Sequence, residues 1–493
     1  DVYKRQHRNR KVKIVATLGP ASDTKSEIKK MFLAGADIFR LNMSHGDHSA
    51  VKKRHIILRD LEREFSRPVC ILVDLQGPKL RCGNFEDEKV SVEVGQKFCF
   101  DLIESLGDKK RVCLPHPQIF RSVKEGDKLL IDDGKVALEV RKASEVSIEC
   151  TVLNNGIISD KKGVNCPDSI LDLAPLTEKD KKDLKFVCSL GVDWIGLSFV
   201  QRAKDVDDVK KLLNGKAGII AKIEKPAAVE AFDSIIDSSD GIMVARGDLG
   251  VELPIEAVPP IQKRLVMRSR QMGKPVIVAT QMMESMINST TPTRAEVSDV
   301  AQAIYDGVDA VMLSAETAVG AHPEKVIQAV DKIAIETEKD PLYFQNLETS
   351  RSVSKEGVSN AITVAAREVA DNINVKVICC FTHGGTTAEL ASRERPRAPI
   401  IALTPYTETA RKLTLFWGLH CVVTTPVDRF KKAVMNAVKA AKLFDFASGK
   451  DLIIVIAGVP FNTPGSTNIL RVVSLEENLS LIHISEPTRL SGI

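Results

Sequence analysis

The sequence predicts an α/β protein built on a closed (β/α)8 barrel, the fold called a TIM barrel. The chain contains eight short β-branched runs, amphipathic stretches separate most of them, and a polar cluster ends nearly every run. Strands that alternate with helices imply parallel βαβ units, and eight such units indicate a closed barrel. An open doubly wound sheet is the alternative, but polar residues at so many strand ends favour the barrel, whose active site draws on many of them. The eight runs are residues 12–19, 38–45, 69–77, 194–200, 218–225, 241–250, 275–282 and 310–317.

A long insertion interrupts this alternation after the third strand. More than a hundred residues lie between Gly77 and Trp194, far more than a simple crossover needs. Much of the segment reads as short strands joined by tight turns at residues 125–127, 132–134 and 155–156. We therefore predict a β-rich domain at residues 78–172 that lies over the mouth of the barrel, where a lid belongs.

A separate α/β domain follows the barrel. The pattern loosens into a polar linker at residues 338–355, and helix–strand alternation then returns. The predicted boundaries are 11–77 and 173–345 for the barrel, 78–172 for the lid and 352–478 for the C-terminal domain. Residues 1–10 and 479–493 continue no pattern of the chain, so we set them apart as tails that need not be native.

Composition excludes several classes of partner. The 493 residues carry 69 basic and 65 acidic side chains, a net charge of +4 that gives no support for nucleic-acid or membrane-surface binding. Hydrophobic residues make up 44% of the chain, yet no apolar run reaches the ~18–20 residues of a membrane helix. The ten cysteines form no CxxC pair, which indicates reduced core residues. We expect a cytoplasmic enzyme with no nucleic acid and no membrane partner, in which any basic site serves a small anion.

Two strand ends carry polar or charged residues two positions apart, which places them on one face of a strand. Arg40, Asn42 and Ser44 follow strand two and suit a phosphate, although a solvated strand end gives the same triplet. Lys222 and Glu224 end an apolar strand five and are either a structural ion pair or a catalytic cation beside a metal ligand.

Glycines and hydroxyls follow the next strands. Asp248 lies between Gly247 and Gly250 and is placed to share a Mg²⁺ ion with Glu224, unless it only caps a helix. Thr280 ends strand seven and Ser314 ends strand eight, where a hydroxyl binds a carboxylate, passes a proton or simply caps the next helix.

The junction with the insertion offers further cations. Asp74 and Lys79 lie in the strand-three end, Arg81 follows, and Lys161 and Lys162 lie near the end of the insertion. Arg81 and Lys162 are candidates for nucleotide phosphate, while a solvated basic turn is the plain alternative. Taken together, polar clusters at six of eight strand ends predict a Mg²⁺-dependent enzyme that acts on a small phosphorylated or carboxylated anion.

At these residues the chain closely resembles the pyruvate kinase family, from about Lys11 to about Leu475. The two longest strings are together highly specific, and the resemblance includes the insertion and the C-terminal domain. The matching strings are 17–22 (TLGPAS), 40–46 (RLNMSHG), 161–165 (KKGVN), 222–224 (KIE), 243–252 (MVARGDLGVE), 279–286 (ATQMMESM) and 292–296 (PTRAE).

The resemblance implies phosphoryl transfer from phosphoenolpyruvate to ADP, and it implies roles for the substrate and metal ligands. Glu224 and Asp248 would hold the Mg²⁺ (or Mn²⁺) that bridges phosphoenolpyruvate. The backbone at Gly247 and Asp248, with Thr280, would grip its carboxylate. Such reactions depend mainly on positioning and electrostatics, which clustered cations and a metal provide.

Further roles follow for the phosphate and the proton. Arg40 and Lys222 would grip the phosphate, and Lys222 would also stabilise the transferring phosphoryl group and the enolate left behind. Thr280 and Ser314 would help relay a proton to that enolate.

The nucleotide would contact strand two and the lid. The implied contacts are Asn42, Ser44, His45, Arg81 and Lys162. Family members are typically homotetramers, and the C-terminal domain commonly binds a phosphorylated effector. The turn at residues 382–387 suits such a phosphate, and a plain strand–helix turn fits it equally well.

One departure concerns the monovalent cation. Many pyruvate kinases need K⁺, held near the ends of strands two and three, the region of Asn42, Ser44 and Asp74. The family usually has Asp-Thr-Lys-Gly-Pro-Glu in the third strand end, whereas this chain has Leu75 for the threonine and Lys79 for the glutamate. We hypothesise that Lys79 replaces K⁺ electrostatically, which makes a K⁺ requirement doubtful.

Two rival functions remain at this point. A Mg²⁺-dependent barrel lyase or aldolase that handles enolates would leave Arg81, Lys162 and the lid unexplained. A catalytically inactive relative that serves as a binding or regulatory protein would not need the set Lys222, Glu224, Asp248 and Thr280, all of which are present.

Overall fold

The predicted barrel is confirmed by the computed structural model, which describes residues 7–44, 47–351, 356–461 and 466–476. Eight parallel strands close on themselves in the order β1-β2-β3-β12-β13-β14-β15-β16. Strands and helices are numbered in chain order throughout. The barrel strands are β1 (Lys13–Leu18), β2 (Ile38–Asn42), β3 (Cys70–Asp74), β12 (Trp194–Leu197), β13 (Gly218–Ile223), β14 (Gly241–Ala245), β15 (Val276–Ala279) and β16 (Ala310–Leu313).

Helices cover the outside of the barrel, and several begin at capping residues that the sequence supplies. Thr24, Asp47, Thr177 and Thr293 each accept a backbone N–H at a helix N-terminus. The barrel helices are α1 (Lys25–Ala34), α2 (His48–Phe65), α4 (Glu178–Leu190), α5 (Ala203–Leu213), α6 (Pro226–Glu230), α7 (Phe232–Ser238), α8 (Arg246–Glu252), α9 (Val258–Met272), α10 (Arg294–Tyr305), α11 (Ala315–Ala318), α12 (Pro323–Lys339) and α13 (Pro341–Thr349).

The interior of the barrel is apolar at its amino end and charged at its carboxyl end. Val15, Ile38, Leu72 and Ile220 are fully buried in one cluster. Because side chains alternate along a strand, the next inward positions on the same strands carry the polar groups Thr17, Arg40, Asp74 and Lys222. Because inward-facing residues recur at every second position, the charged side chains of these strands lie together at the carboxyl end of the barrel.

A β-rich domain interrupts the barrel between β3 and β12, as predicted. It has a hydrophobic core of its own, and Asp132, Asp133 and Gly134 adopt positive φ at the predicted turn between β7 and β8. Its sheets have the orders β11-β7-β8-β9-β5-β6 and β10-β4. The elements are β4 (Lys89–Val92), β5 (Lys97–Asp101), β6 (Arg111–Cys113), α3 (Pro117–Ser122), β7 (Lys128–Ile131), β8 (Val136–Ala143), β9 (Ser147–Val152), β10 (Gly156–Ser159) and β11 (Val164–Asn165).

The C-terminal domain is a five-stranded sheet with the order β19-β18-β17-β20-β21. Four strands are parallel, and β21 pairs antiparallel with β20 at one edge. Its elements are α14 (Val358–Asn372), β17 (Val377–Phe381), α15 (Thr386–Arg393), β18 (Ile400–Thr404), α16 (Thr407–Leu413), β19 (Leu419–Val423), α17 (Phe430–Leu443), β20 (Leu452–Gly458) and β21 (Thr467–Ser474).

The prediction of a polar linker at residues 338–355 is wrong for much of this segment, because residues 341–349 form a helix. α12 ends at Lys339, and α13 follows at once, capped by the side chain of Asp340. Tyr343 and Leu347, four residues apart, share one face of α13 and are buried in the barrel core. Phe344 is partly buried against the same core, so a few apolar residues in a polar stretch hold this helix against the barrel.

The described part of the N-terminal segment, residues 7–10, lies against the barrel and the C-terminal domain. Arg10 is buried and donates to Asp37 at 2.8 Å and to Asp331 at 2.7 Å, and Arg8 lies 3.4 Å from Asp37. Nothing in the hydrophobic periodicity marks these contacts, because both arginines pair with residues far along the chain. His7 stacks on Phe446 of the C-terminal domain, so this segment packs on the folded domains and does not form a detached tail.

The barrel and the C-terminal domain are joined by buried polar contacts. Asp309 accepts from the guanidinium of Arg395 at 3.0 and 3.1 Å and from the backbone N–H of Trp417 at 2.9 Å. Lys13 donates to the carbonyl of Leu419 at 2.7 Å. Across the described ranges, no helix combines the length and apolar character needed to cross a membrane.

Candidate active site

A buried lysine lies at the centre of the charged end of the barrel. The ammonium of Lys222, on β13, is 2.8 Å from Glu224 Oε1 and 3.2 Å from Asp74 Oδ1, and it donates to Ser198 Oγ at 2.8 Å. The predicted pair of Lys222 and Glu224 is thus formed, and Asp74 joins it from β3. A cation held by three oxygen groups has little freedom to move, which suits a catalytic group that needs a fixed position.

Arg40 lies on the other side of Asp74. Its guanidinium donates to Asp74 Oδ2 at 2.9 and 2.6 Å and to Thr17 Oγ1 at 3.1 Å. Gly196, which pairs with Asp74 in the barrel, leaves room for this carboxylate, because a Cβ there would lie 3.1 Å from Asp74 Oδ1. Asp74 therefore aligns Arg40 and Lys222 side by side.

The net charge of this cluster favours a metal. Two cations, Arg40 and Lys222, face three carboxylates, those of Asp74, Glu224 and Asp248. Burial disfavours the charged ammonium, but the three carboxylates outweigh it and raise the pKa of Lys222 above its usual value. Burial is the main effect that raises the pKa of Glu224. The Lys222 ammonium opposes this rise, and the nearby Asp248 carboxylate adds to it. A divalent cation held by Glu224 and Asp248 would neutralise the excess negative charge of these carboxylates.

Two carboxylates fit a particular class of metal. Glu224 is buried, whereas Asp248 is exposed to the cavity at the start of α8. The described residues contain no group of three or more His, Cys, Asp or Glu side chains that could enclose a metal. A site with so few protein ligands suits a hard cation that keeps water and substrate oxygens, which is the usual behaviour of Mg²⁺.

Two residues that sequence reasoning missed hold this cluster in place. Phe199 donates its backbone N–H to Glu224 Oε2 at 2.8 Å and adopts φ 57° to do so. The Ser198 hydroxyl accepts from Lys222 and donates to the carbonyl of Leu75 at 2.9 Å. A serine and a phenylalanine after β12 give no motif, so their only signal was a position at a strand end.

Thr280 adopts a strained backbone conformation at the end of β15. The φ of Thr280 is 72°, which is unusual for a β-branched residue. The next residue, Gln281, also has a positive φ, of 53°. The Thr280 hydroxyl accepts the Gly247 N–H at 2.7 Å, and its carbonyl accepts from Arg246 at 2.8 Å. Because Arg246 is itself held by Asp299 at 2.6 Å, the structure fixes Thr280 beside the first turn of α8.

Ser314 lies at the end of β16, and its backbone is held by a buried carboxylate. Glu316 Oε2 accepts the Ser314 N–H at 2.7 Å, while Oε1 accepts the N–H of Met283 at 3.1 Å. This carboxylate ties the ends of the seventh and eighth barrel strands together. The Ser314 side chain is half-buried at the barrel mouth.

A cavity of about 910 Å³ lies between the barrel and the β-rich domain. From the barrel it is lined by Gly247, Asp248 and Thr280, and from the other side by Lys79 and Asp133. The cavity is large enough for a small anion and part of a nucleotide. Residues of the barrel mouth and of the inserted domain thus line the same cavity.

The predicted nucleotide contacts fall into two groups. Arg81 and Lys162 lie together on the β-rich domain, where Arg81 donates to the carbonyl of Lys161 at 2.8 Å and Lys162 pairs with Asp132 at 2.9 Å. Asn42 lies apart from them at the end of β2, where its side chain accepts the N–H of Ser44 at 3.0 Å. The fifth predicted contact, His45, lies outside the described residues.

A second, smaller cavity opens in the C-terminal domain at the predicted effector turn. Thr382 caps this turn by accepting the N–H of Gly385 at 2.9 Å, and Gly385 has φ 112°. The cavity is lined on one side by the turn and α15 and on the other by the end of β19. The polar lining residues include Thr382, His383, Thr386, Thr387, Thr424 and Thr425.

Comparisons with known proteins agree with this architecture. A sequence model described as pyruvate kinase, barrel domain, matches residues 9–327, and one described as pyruvate kinase, alpha/beta domain, matches residues 360–473. The chain is 49% identical over 465 residues to a pyruvate kinase of Methylorubrum extorquens, covering 94% of this chain and 97% of that protein. It is 48% identical over 467 residues to one of Agrobacterium vitis, covering 94% and 98%.

The fold has a close counterpart among solved structures. The crystal structure of a pyruvate kinase from Cryptosporidium parvum matches with a TM-score of 0.90 at 34% sequence identity, covering 95% of this chain and 96% of that one. Fold, charged barrel mouth and sequence similarity agree over nearly the whole chain. The chain belongs to the pyruvate kinase family and is therefore a phosphotransferase.

Proposed function

We propose that the chain transfers a phosphoryl group from phosphoenolpyruvate to ADP at the mouth of the barrel. The observation that carries this proposal is the buried ammonium of Lys222, held 2.8 Å from Glu224 and 3.2 Å from Asp74. Phosphoryl transfer needs fixed positive charge where negative charge develops, and it needs little covalent participation from the protein. The enolate left behind needs the same charge, so one lysine serves both groups.

The family works with a divalent cation, and we propose Mg²⁺ or Mn²⁺ held by Glu224 and Asp248. When bound, the cation would neutralise charge on the substrate phosphate and carboxylate. The backbone of Gly247 and Asp248 lies at the start of α8, where N–H groups favour an anion such as the substrate carboxylate, and the Gly247 N–H would leave the Thr280 hydroxyl to bind it.

Arg40 and Lys222 bind the phosphate in this proposal. Their guanidinium and ammonium groups share Asp74, which fixes the position of both, and a divalent cation at Glu224 and Asp248 would offset the negative charge of the remaining carboxylates. Two cations at fixed positions orient the phosphoryl group for transfer. Arg40 supplies a planar fork, which holds a phosphate in one orientation.

Thr280 and Ser314 move the proton that completes pyruvate. Both side chains lie half-buried at adjacent strand ends of the barrel mouth. The Thr280 hydroxyl already donates to the carbonyl of Ala279 at 2.6 Å, so it must turn away from that carbonyl to deliver a proton. Ser314 is the neighbouring hydroxyl through which that proton is replaced.

The β-rich domain acts as a lid that holds the nucleotide. Arg81 and Lys162 bind ADP phosphates from the lid, and Asn42, Ser44 and His45 contact the nucleotide from β2. Support comes from the position of Arg81 and Lys162 together on the domain whose residues Lys79 and Asp133 line the cavity. Closure of such a lid would keep water away from the transferring group.

The assay that tests this proposal measures pyruvate and ATP together, from phosphoenolpyruvate, ADP and Mg²⁺. Equal amounts of both products are expected, with no turnover when the metal is chelated. Pyruvate without ATP would indicate a lyase or a phosphatase, and binding without any product would indicate an inactive relative. Neither alternative is favoured, because family and homologues support the kinase.

Activity without K⁺ is the most specific proposal for this chain. Leu75 is buried in the barrel core and offers no hydroxyl ligand. Lys79 lines the shared cavity with Asp248 and Thr280, so a tethered ammonium belongs to the same cavity as a proposed metal ligand. We expect the wild-type enzyme to change its rate less than about twofold with K⁺, and Lys79→Glu to need K⁺ for roughly a tenfold gain.

Lys79→Met is the matched control, because it removes the ammonium and adds no carboxylate. Initial rates in K⁺ and in a large organic cation compare the three enzymes. If Lys79→Glu turns over equally in both salts, Lys79 does not replace the monovalent cation.

Regulation and assembly follow the family pattern in our proposal. The threonine-lined cavity beside α15 would bind a phosphorylated effector, and the enzyme would be a homotetramer. Light scattering at working concentration gives the oligomeric state, and titration with a sugar phosphate tests the cavity.

We also propose that the enzyme is cytosolic. The ten cysteines are all free, which suits a reducing compartment.

A further inference from the structure

A buried ion pair connects the lid to both elements that carry the proposed metal ligands. Lys225 directly follows Glu224, and Glu252 is the last residue of α8, which carries Asp248. The ammonium of Lys225 pairs with Glu252 Oε1, and Asn165 donates its side-chain N–H to the same oxygen at 2.7 Å. Asn165 belongs to β11 of the lid.

The pair is almost sealed from water. Relative exposures of the side chains are 9% for Lys225 and 1% for Glu252. Glu252 Oε2 is buried and has no hydrogen-bond partner in the described part of the chain. The Glu252 carboxylate is thus bound by one lysine from the barrel and one amide from the lid. Loss of either partner would leave a buried charge with a single hydrogen-bond donor, which is unfavourable.

The barrel side of the pair is rigid. Lys225 also lies over the ring of Phe199 at 5.9 Å, and Phe199 donates its N–H to Glu224. Phe199 thus contacts both Lys225 and the proposed metal ligand Glu224. A shift of Lys225 would therefore disturb Glu224.

The lid side leads to the proposed nucleotide contact. Lys162 lies three residues before Asn165, and β11 pairs with β7 through Val164 and Ile131. The Asp132 N–H, next to that pairing, donates to the carbonyl of Gly163 at 3.1 Å. The segment from Lys162 to Asn165 is thus a short, hydrogen-bonded stretch, so the position of Asn165 sets the position of Lys162.

We propose that Asn165 and Glu252 are positioning residues that fix the nucleotide-binding edge of the lid relative to the metal-binding carboxylates. The inference rests on the proposed roles of Lys162 in ADP binding and of Asp248 in metal binding. Glu252 connects the two because it ends α8 and receives the lid amide. Asn165 touches no reacting group and acts through the lid.

The test is the variant Asn165→Ala, with Asn154→Ala as its matched control. Asn154 also lies in the lid and donates at 2.7 Å, but to the carbonyl of Lys135 within the lid itself. Removal of a hydrogen bond to a charged group costs roughly a tenfold change in an equilibrium. We expect Asn165→Ala to raise the KM for ADP about tenfold while the KM for phosphoenolpyruvate changes less than about twofold.

A second measurement needs no turnover. ADP alone, without phosphoenolpyruvate, is expected to slow proteolysis of the lid in the wild-type protein and in Asn154→Ala, and not in Asn165→Ala. Equal effects of the two variants, equal changes in both KM values or unchanged ADP binding would overturn the inference. Lys162→Met separates this from the proposed function, because an unchanged KM for ADP there would remove the nucleotide assignment itself.

Discussion

Replacing Lys222 with Met is expected to lower kcat about a thousandfold or more. The ammonium pairs with both Asp74 and Glu224, and no other described lysine pairs with either carboxylate. Without it, charge that develops on the phosphoryl group and on the enolate is no longer neutralised. Initial rates at saturating phosphoenolpyruvate, ADP and Mg²⁺ measure the effect.

An unfolding control and one further variant separate chemistry from folding. Lys222→Met leaves Asp74 and Glu224 short of a cation, so thermal unfolding must confirm that the variant is folded at the assay temperature. Ser198→Ala keeps the lysine and removes the hydroxyl that orients it at 2.8 Å, and its kcat should fall by roughly tenfold. A folded Lys222→Met enzyme that retained a tenth of wild-type kcat would rule out the proposed role.

Replacing Asp37 with Asn is expected to reduce the free energy of unfolding by about 3–5 kcal/mol. The Asp37 carboxylate is fully buried, 2.8 Å from Arg10, 3.4 Å from Arg8 and 3.6 Å from Arg67, and it also accepts the backbone N–H of Ile14 at 3.1 Å. The variant would leave three arginines near one neutral amide. Urea denaturation of both proteins at pH 7 gives the difference.

The effect should depend on pH in a defined direction. Burial raises the pKa of the Asp37 carboxyl, but Arg10, Arg8 and further cations outweigh it and hold the pKa well below its usual range. A carboxyl with a lowered pKa stabilises the fold above its unfolded pKa of about 3.9, and that stabilisation disappears as pH falls towards the folded value. The difference should be constant from about pH 8 to 5 and should shrink below about pH 4.

Asp23→Asn is the control for a carboxylate that is partly exposed. Asp23 pairs with Lys53 at 3.0 Å and Arg54 at 2.8 Å on the protein surface, so its loss should cost less than about 1 kcal/mol. Equal destabilisation by both variants would show that the buried cluster around Asp37 contributes no more than a surface ion pair.

The barrel could be predicted from the sequence because its signal is repeated eight times. Each strand is a short buried run, and the charged residue two positions beyond its core residues marks the carboxyl end. Lys222 and Glu224 were found in this way, and the structure places them within 2.8 Å of each other. The roles of these residues required the family resemblance as well.

Contacts that depend on distant pairing could not be predicted. Phe199 contributes a backbone N–H and a positive φ, which no residue pattern reveals. Arg8 and Arg10 looked like part of an unpatterned tail because their partner, Asp37, is about thirty residues away and looks like an ordinary strand-flanking aspartate. Asp74 was assigned to the monovalent-cation region, while the structure shows it pairing with Lys222 and Arg40.

Titration of Mn²⁺ into the protein in the presence of phosphoenolpyruvate tests the central claim most directly, because the bound ion is observed by electron paramagnetic resonance without turnover. The comparison uses the wild-type chain and Glu224→Gln, which keeps the side-chain volume and the acceptor for Phe199. The account predicts one tightly bound ion per wild-type chain and at least a tenfold weaker affinity in the variant. Equal affinity in both proteins would contradict the assignment of the metal to Glu224 and Asp248.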